Sequence, residues 1–104
     1  MNRLCCALLI LLPLTATAYP IEVEKQIDGV KVDYNAHDVF HDIGSISVNN
    51  YGVVDARCSV VFRNGPEAPR TRRVQVPAGK SVDVTAKFTR SIIKLRITLG
   101  CERS

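Results

Sequence analysis

The sequence predicts a small all-β domain, two sheets packed face to face, and three observations carry that expectation. Apolar residues recur with period two in the chain from residue 21 onward. Clusters of Gly, Pro and Asn separate these alternating runs at short intervals. After the leader segment no stretch shows the 3.6-residue period of an amphipathic helix. Strict alternation means one face buried and one in water, while turn residues mark where the backbone reverses.

The chain opens on a segment that does not belong to that domain. Met1-Asn2-Arg3 is a short positive head, residues 4–14 are apolar, and Thr15-Ala16-Thr17-Ala18 precedes Tyr19. Those are the three parts of a secretory signal peptide with an Ala-x-Ala cleavage site. The apolar run falls short of the ~20 residues a membrane-crossing helix needs, so no membrane span is expected. The reading is a cleaved leader over residues 1–18 and one β-sandwich domain over residues 19–104, released to the periplasm or secreted.

Taken in order, residues 21–25 and 30–34 are expected strands, with Asp28-Gly29 as a hairpin turn between them. Residues 43–49 form a third, ended by Asn49-Asn50-Tyr51-Gly52. Residues 56–63 alternate cleanly, Ala56, Cys58, Val60 and Phe62 against Arg57, Ser59, Val61 and Arg63. The turn Asn64-Gly65-Pro66-Glu67-Ala68-Pro69 follows, then a strand at residues 72–76. Pro77-Ala78-Gly79-Lys80 is expected to join it as a hairpin to residues 81–88, where Val82, Val84, Ala86 and Phe88 face inward. The last strand, residues 91–101, places Ile93, Leu95, Ile97, Leu99 and Cys101 inward and Ile92, Lys94, Arg96 and Thr98 outward. Seven short strands of this kind suggest an antiparallel sandwich of immunoglobulin-like type. Such sandwiches usually bury a tryptophan beside the cystine, and this chain has none. A small closed barrel is the competing arrangement.

Removal of the leader takes Cys5 and Cys6 with it and leaves Cys58 and Cys101. An even pair in a small exported domain is normally a disulfide, and both residues fall on inward faces. The spacing matches no zinc or thioredoxin-type motif. Closing a loop of that length would stabilise the fold by roughly 4 kcal/mol in the chain-entropy model.

Charge divides unevenly. Residues 19–55 hold seven acids and two bases, whereas residues 56–104 hold eleven bases and three acids. Arg70, Arg72 and Arg73 sit in or beside one strand, and Lys94 and Arg96 leave the outer face of the last. These five are the candidate anion-binding face, for lipopolysaccharide phosphates, an acidic polysaccharide or an acidic protein. The plainer alternative is an ordinary wet sheet face whose cations discourage edge-to-edge aggregation. Nucleic acid is not expected, since single-strand binders need stacking aromatics and Phe62 and Phe88 of the basic half point inward.

The only two histidines lie in Asn35-Ala36-His37-Asp38-Val39-Phe40-His41-Asp42. His37, Asp38, His41 and Asp42 are candidate metal ligands, because imidazole and carboxylate suit zinc, copper or nickel. The competing reading is a polar loop crossing between sheets, anchored to the core by Val39 and Phe40, with the aspartates in turn hydrogen bonds. The chain has no Gly-x-Ser-x-Gly elbow and no Gly-rich phosphate loop, so neither an enzyme nor a cofactor is expected.

Three stretches, Tyr19-Pro20-Ile21-Glu22-Val23, Phe62-Arg63-Asn64-Gly65-Pro66-Glu67-Ala68-Pro69-Arg70 and Ser91-Ile92-Ile93-Lys94-Leu95-Arg96, resemble small exported proteins of Gram-negative bacteria. The resemblance covers nearly all of residues 19–104 and implies an envelope location without an assigned activity. Some relatives carry the label 3-phosphoglycerate kinase. That label conflicts with this chain, because such kinases are large, two-domain, cytosolic and nucleotide-binding, and no catalytic residue is carried over. The expectation is therefore a monomeric periplasmic binding or accessory module. Its partner would be an envelope protein or an anionic envelope component.

Overall fold

Among the described residues seven strands form, and they divide between two sheets. A computed structural model describes residues 19–104, so the expected leader, with Cys5 and Cys6, lies outside the described residues. The strands are β1 (Ile21–Ile27), β2 (Val32–Phe40), β3 (Ile43–Asn50), β4 (Ala56–Asn64), β5 (Arg70–Val76), β6 (Ser81–Lys87) and β7 (Leu95–Arg103). One sheet has the order β1-β7-β4-β5 and the other β2-β3-β6. All neighbours run antiparallel except β1 and β7, which are parallel, with Ile21 opposite Leu95 and Ile27 opposite Cys101. This is the sandwich that the alternation predicts.

Its core is the facing set of inward side chains. Phe62, Val60 and Cys58 of β4 and Leu95, Ile97 and Leu99 of β7 pack against Ile46 and Val48 of β3 and Val84 and Ala86 of β6. Burying a side chain of this size contributes about 1.5–3 kcal/mol. The inward assignments on β4 and β6 hold, and Phe62 and Phe88 are both buried. Gly44 is the close-approach point between the sheets: a Cβ there would collide with Leu95 Cδ2 and meet the Tyr19 hydroxyl at 3.5 Å. Tyr19 itself is buried and donates to the Ile43 carbonyl at 2.5 Å. Burial first, then the charges of Asp38 and Asp42, raise its phenol above the usual 10.0, although a hydrogen bond from the Val39 backbone works the other way.

Cys58 and Cys101 form the disulfide. They lie directly opposite on adjacent strands of one sheet, with their Cα atoms 4.1 Å apart. The bridge therefore staples β4 to β7 and does not cross between the sheets, as the antibody-type bridge does.

Several local expectations fail, each for a physical reason. Asp28-Gly29 is no hairpin, because β1 and β2 belong to different sheets; Gly29, at φ +75°, instead turns the chain across the layers. Pro77-Ala78-Gly79-Lys80 makes the tight turn expected, with Lys80 N–H on the Pro77 carbonyl at 3.0 Å, yet it too passes from one sheet to the other. Hairpins and crossings call for the same turn residues, so composition cannot separate them. The last strand begins at Leu95, four residues later than predicted. Before it Ile92 is buried and Ile93 is 84% exposed, the reverse of the expected phase, because the Ile92 N–H is turned to the His41 carbonyl at 2.7 Å.

Candidate functional site

The histidine segment is neither loop nor anchor. β2 continues through it to Phe40, paired with β3 from Val32 opposite Asn50 to Phe40 opposite Ile43, with a bulge between Asp38 and Phe40. Val39 and Phe40 are 53% and 61% exposed, so they do not fasten the segment to the core. His37 lies opposite Ser45, one residue out of phase with Asp38, which lies opposite Gly44. A strand sends neighbouring side chains to opposite faces, which separates those two candidates. His41 stands in the following turn with Nδ1 3.0 Å from Ser91 Oγ. Asp42 keeps Oδ1 buried without a hydrogen-bond partner. Among the described residues no three His, Cys, Asp or Glu side chains come together in a way that could hold a metal ion.

The five basic candidates also separate. In the β4–β5 register Arg70 and Arg72 face the positions of Phe62 and Val60, whereas Arg73 lies opposite Ser59 on the other surface. Arg70 is committed to the fold. It donates to the Ala68 carbonyl at 2.8 Å and the Lys87 carbonyl at 3.3 Å, approaches Glu67 at 3.7 Å, and covers the Phe88 ring at 5.1 Å. Arg72 donates to the Thr71 carbonyl at 3.1 Å. Arg73 lines a shallow groove with Gln26, Asp28, Arg57, Ser59 and Gly100, but Asp28 and Glu102 balance the cations there, Arg57 lying 3.0 Å from Glu102.

Lys94 and Arg96 lead elsewhere. With Arg63 and Arg90 they line a cleft of about 480 Å³ between the β4–β5 loop and the loop before β7, floored by Asn64, Gly65 and Pro66. Arg63 and Arg96 stand directly opposite on β4 and β7. Glu22, opposite Arg96 on β1, is the carboxylate that answers this group, at 2.9 Å from Lys94 Nζ and 3.7 Å from Arg96 Nε. The hydrogen bond from Lys94 and then its charge, with Arg96 beyond, hold Glu22 below the usual 4.5. Glu22 and Glu24 line the adjoining groove with Arg63 and Arg96, whereas none of the described residues lining the cleft itself is acidic. Exposed ion pairs of this kind contribute only ~0–1 kcal/mol, so Lys94 and Arg96 remain free to turn to a stronger anion.

The cleft wall is held by Glu67. Its side chain, 12% exposed, accepts from the backbone N–H groups of Thr89 and Arg90, both at 3.0 Å, and from Asn64 Nδ2 at 3.0 Å. Asn64 Nδ2 also donates to the Arg90 carbonyl at 3.3 Å. These bonds fix the backbone at Arg90, whose side chain then projects into the cleft. Sequence reasoning set Arg63 on an outer face without linking it to Lys94 and Arg96, and missed Arg90. The cross-strand register would have supplied the first, but Arg90 lies in an irregular loop with no periodic signal.

No protein-family model matches the chain, and no curated protein matches it in sequence. Among the described residues no helix is long and apolar enough to cross a membrane.

Proposed function

We propose that the protein is a non-catalytic binding module that takes an anionic ligand, phosphate- or carboxylate-bearing, in the cleft of Arg63, Arg90, Lys94 and Arg96. The observation that carries this reading is the convergence of Arg63, Arg90, Lys94 and Arg96 on one concave site with no acidic residue in its described lining, Glu22 pairing with Lys94 and Arg96 from beside it. Like charges directly opposite on neighbouring strands cost stability, so the Arg63–Arg96 pair is hard to explain by folding alone. Concave sites of one sign concentrate oppositely charged ligands and speed their capture. Export through the leader expected at residues 1–18 would bring this site to anionic components of the cell envelope.

Titration with inorganic polyphosphate tests the proposal. Arg63→Glu with Arg90→Glu should weaken binding by at least about tenfold, and raising the salt should weaken the wild type as screening sets in. Arg72→Glu with Arg73→Glu should leave it nearly unchanged. Equal losses from both pairs would reduce the effect to net charge and overturn the assignment of the site.

A further inference from the structure

Apolar side chains stand in water at the same end of the domain as the cationic cleft. Ile93, 84% exposed, lines the cleft itself among Arg63, Arg90, Lys94 and Arg96. The turn after β2 is bound to the loop that carries Ile93. Phe88 N–H donates to the Asp42 carbonyl at 2.8 Å, Ile92 N–H to the His41 carbonyl at 2.7 Å, and His41 Nδ1 meets Ser91 Oγ at 3.0 Å. Those bonds hold Val39 and Phe40, both more than half exposed, at that end as well.

We infer that this end docks on an anionic bilayer surface, the four cations meeting lipid phosphates while Ile93, Phe40 and Val39 enter the headgroup layer. The inference rests on the anion-binding reading above and names its ligand. A small soluble anion would engage the cations and leave the apolar groups in water. A protein partner is usually met by a contiguous, well-packed apolar patch with aromatic anchors. Here the apolar groups project from separate turns, interleaved with polar and charged residues, which suits a layer soft enough to admit each one independently. Attraction of basic residues to anionic lipid, joined to shallow insertion of apolar ones, is the general basis of peripheral membrane binding.

Co-sedimentation of the full chain with vesicles of phosphatidylcholine, alone or mixed with phosphatidylglycerol, tests this, with polyphosphate titration run in parallel. The neutral vesicles subtract the apolar contribution of residues 1–18, and the Arg63→Glu, Arg90→Glu protein, which keeps Arg3, subtracts their charge. Wild-type protein should bind the anionic vesicles in excess of the neutral ones. Val39→Ser with Phe40→Ser, both outside the cleft lining, should lose at least about tenfold of that binding while holding polyphosphate as before. Arg63→Glu with Arg90→Glu should lose both. Binding of polyphosphate without the anionic vesicles overturns the bilayer inference and leaves the binding module standing. Unchanged vesicle binding by the Val39→Ser, Phe40→Ser protein overturns the insertion. Failure with both probes removes the anion-binding reading itself. The substituted side chains are exposed, so a thermal melt should show the fold intact.

Discussion

Replacing Asn50 should do more damage than any other single polar substitution in the domain. Asn50 ends β3, is 2% exposed, and spends its whole amide on backbone groups. Nδ2 donates to the carbonyls of Val54 at 2.8 Å and Val76 at 2.9 Å, and Oδ1 accepts the Gly52 N–H at 3.0 Å. One side chain thereby closes the β3–β4 loop and ties it to the end of β5. In Asn50→Ala the buried Val76 carbonyl loses its partner, worth about 1–3 kcal/mol, and the two part-buried bonds add about 0.5–1.5 kcal/mol each. The expected loss is about 4 kcal/mol, against a total of ~5–15 kcal/mol for a folded domain. Asn50→Asp is the sharper test. At neutral pH its carboxylate could still accept from Gly52 but would set oxygen against two carbonyl oxygens, so the loss should equal or exceed that of alanine. Protonation at acid pH would restore one donor and recover part of it. Urea unfolding should show a lower midpoint with an unchanged slope. A cost below about 1 kcal/mol for Asn50→Ala, or a milder effect from aspartate at neutral pH, would refute this account of the loop.

Gly44→Ala should destabilise by about 1–3 kcal/mol, because the added methyl strikes the fully buried Leu95 and crowds the Tyr19 hydroxyl; urea midpoints measure it. Cys58→Ala with Cys101→Ala should cost about 4 kcal/mol, the loop-closure value for a separation of 43 residues, and in the wild type a reductant should lower the melting temperature in the same direction. Burial pushes the Glu67 carboxyl up, but the N–H groups of Thr89 and Arg90, the Asn64 amide and the Arg70 charge outweigh it, leaving the carboxyl below its usual 4.5. A carboxyl depressed by folding stabilises fully above its unfolded value and loses that contribution as pH falls through its lower folded value. Glu67→Gln should therefore flatten the stability–pH curve below the usual 4.5 and loosen the cleft wall, seen as faster amide exchange at Thr89 and Arg90.

What the sequence discloses is what alternation encodes. Strands β4 and β6 could be read residue by residue, and so could the part of β7 from Leu95 on, because each has one wet face and one dry one. The cystine followed from an even cysteine pair in a domain expected to be exported, and the same parity agreed, with Cys58 and Cys101 both inward. Sheet membership was not legible, since Gly29 and Gly79, where the chain crosses between layers, take a positive φ just as Gly65 does in the β4–β5 reversal within one layer. Of the edge strand β2 only the start was expected, within residues 30–34, and the rest hid behind its polar composition. Only pairing with β3 makes it a strand, and pairing leaves no trace in local sequence. Asn50 looked like an ordinary turn residue, because an asparagine that caps a loop from inside is spelled like one that faces water. The cationic cleft was half visible, in Lys94 and Arg96. Arg70, although next to Arg72 and Arg73, is held by carbonyls and an aromatic ring, contacts that sequence proximity does not foretell.

The parallel pairing of β1 with β7 joins the first described strand to the last. Ile21 has no neighbour in its sheet until Leu95 has been made, and the four-stranded sheet lacks an edge until the final nine-residue strand arrives. Contacts so distant along the chain form slowly and late in folding. Whatever holds back residues 95–103 leaves β1 without its partner and β4 with β5 alone. β7 is thus the strand on which closure waits: until it docks, β1 and the β4–β5 pair remain separate pieces of one sheet.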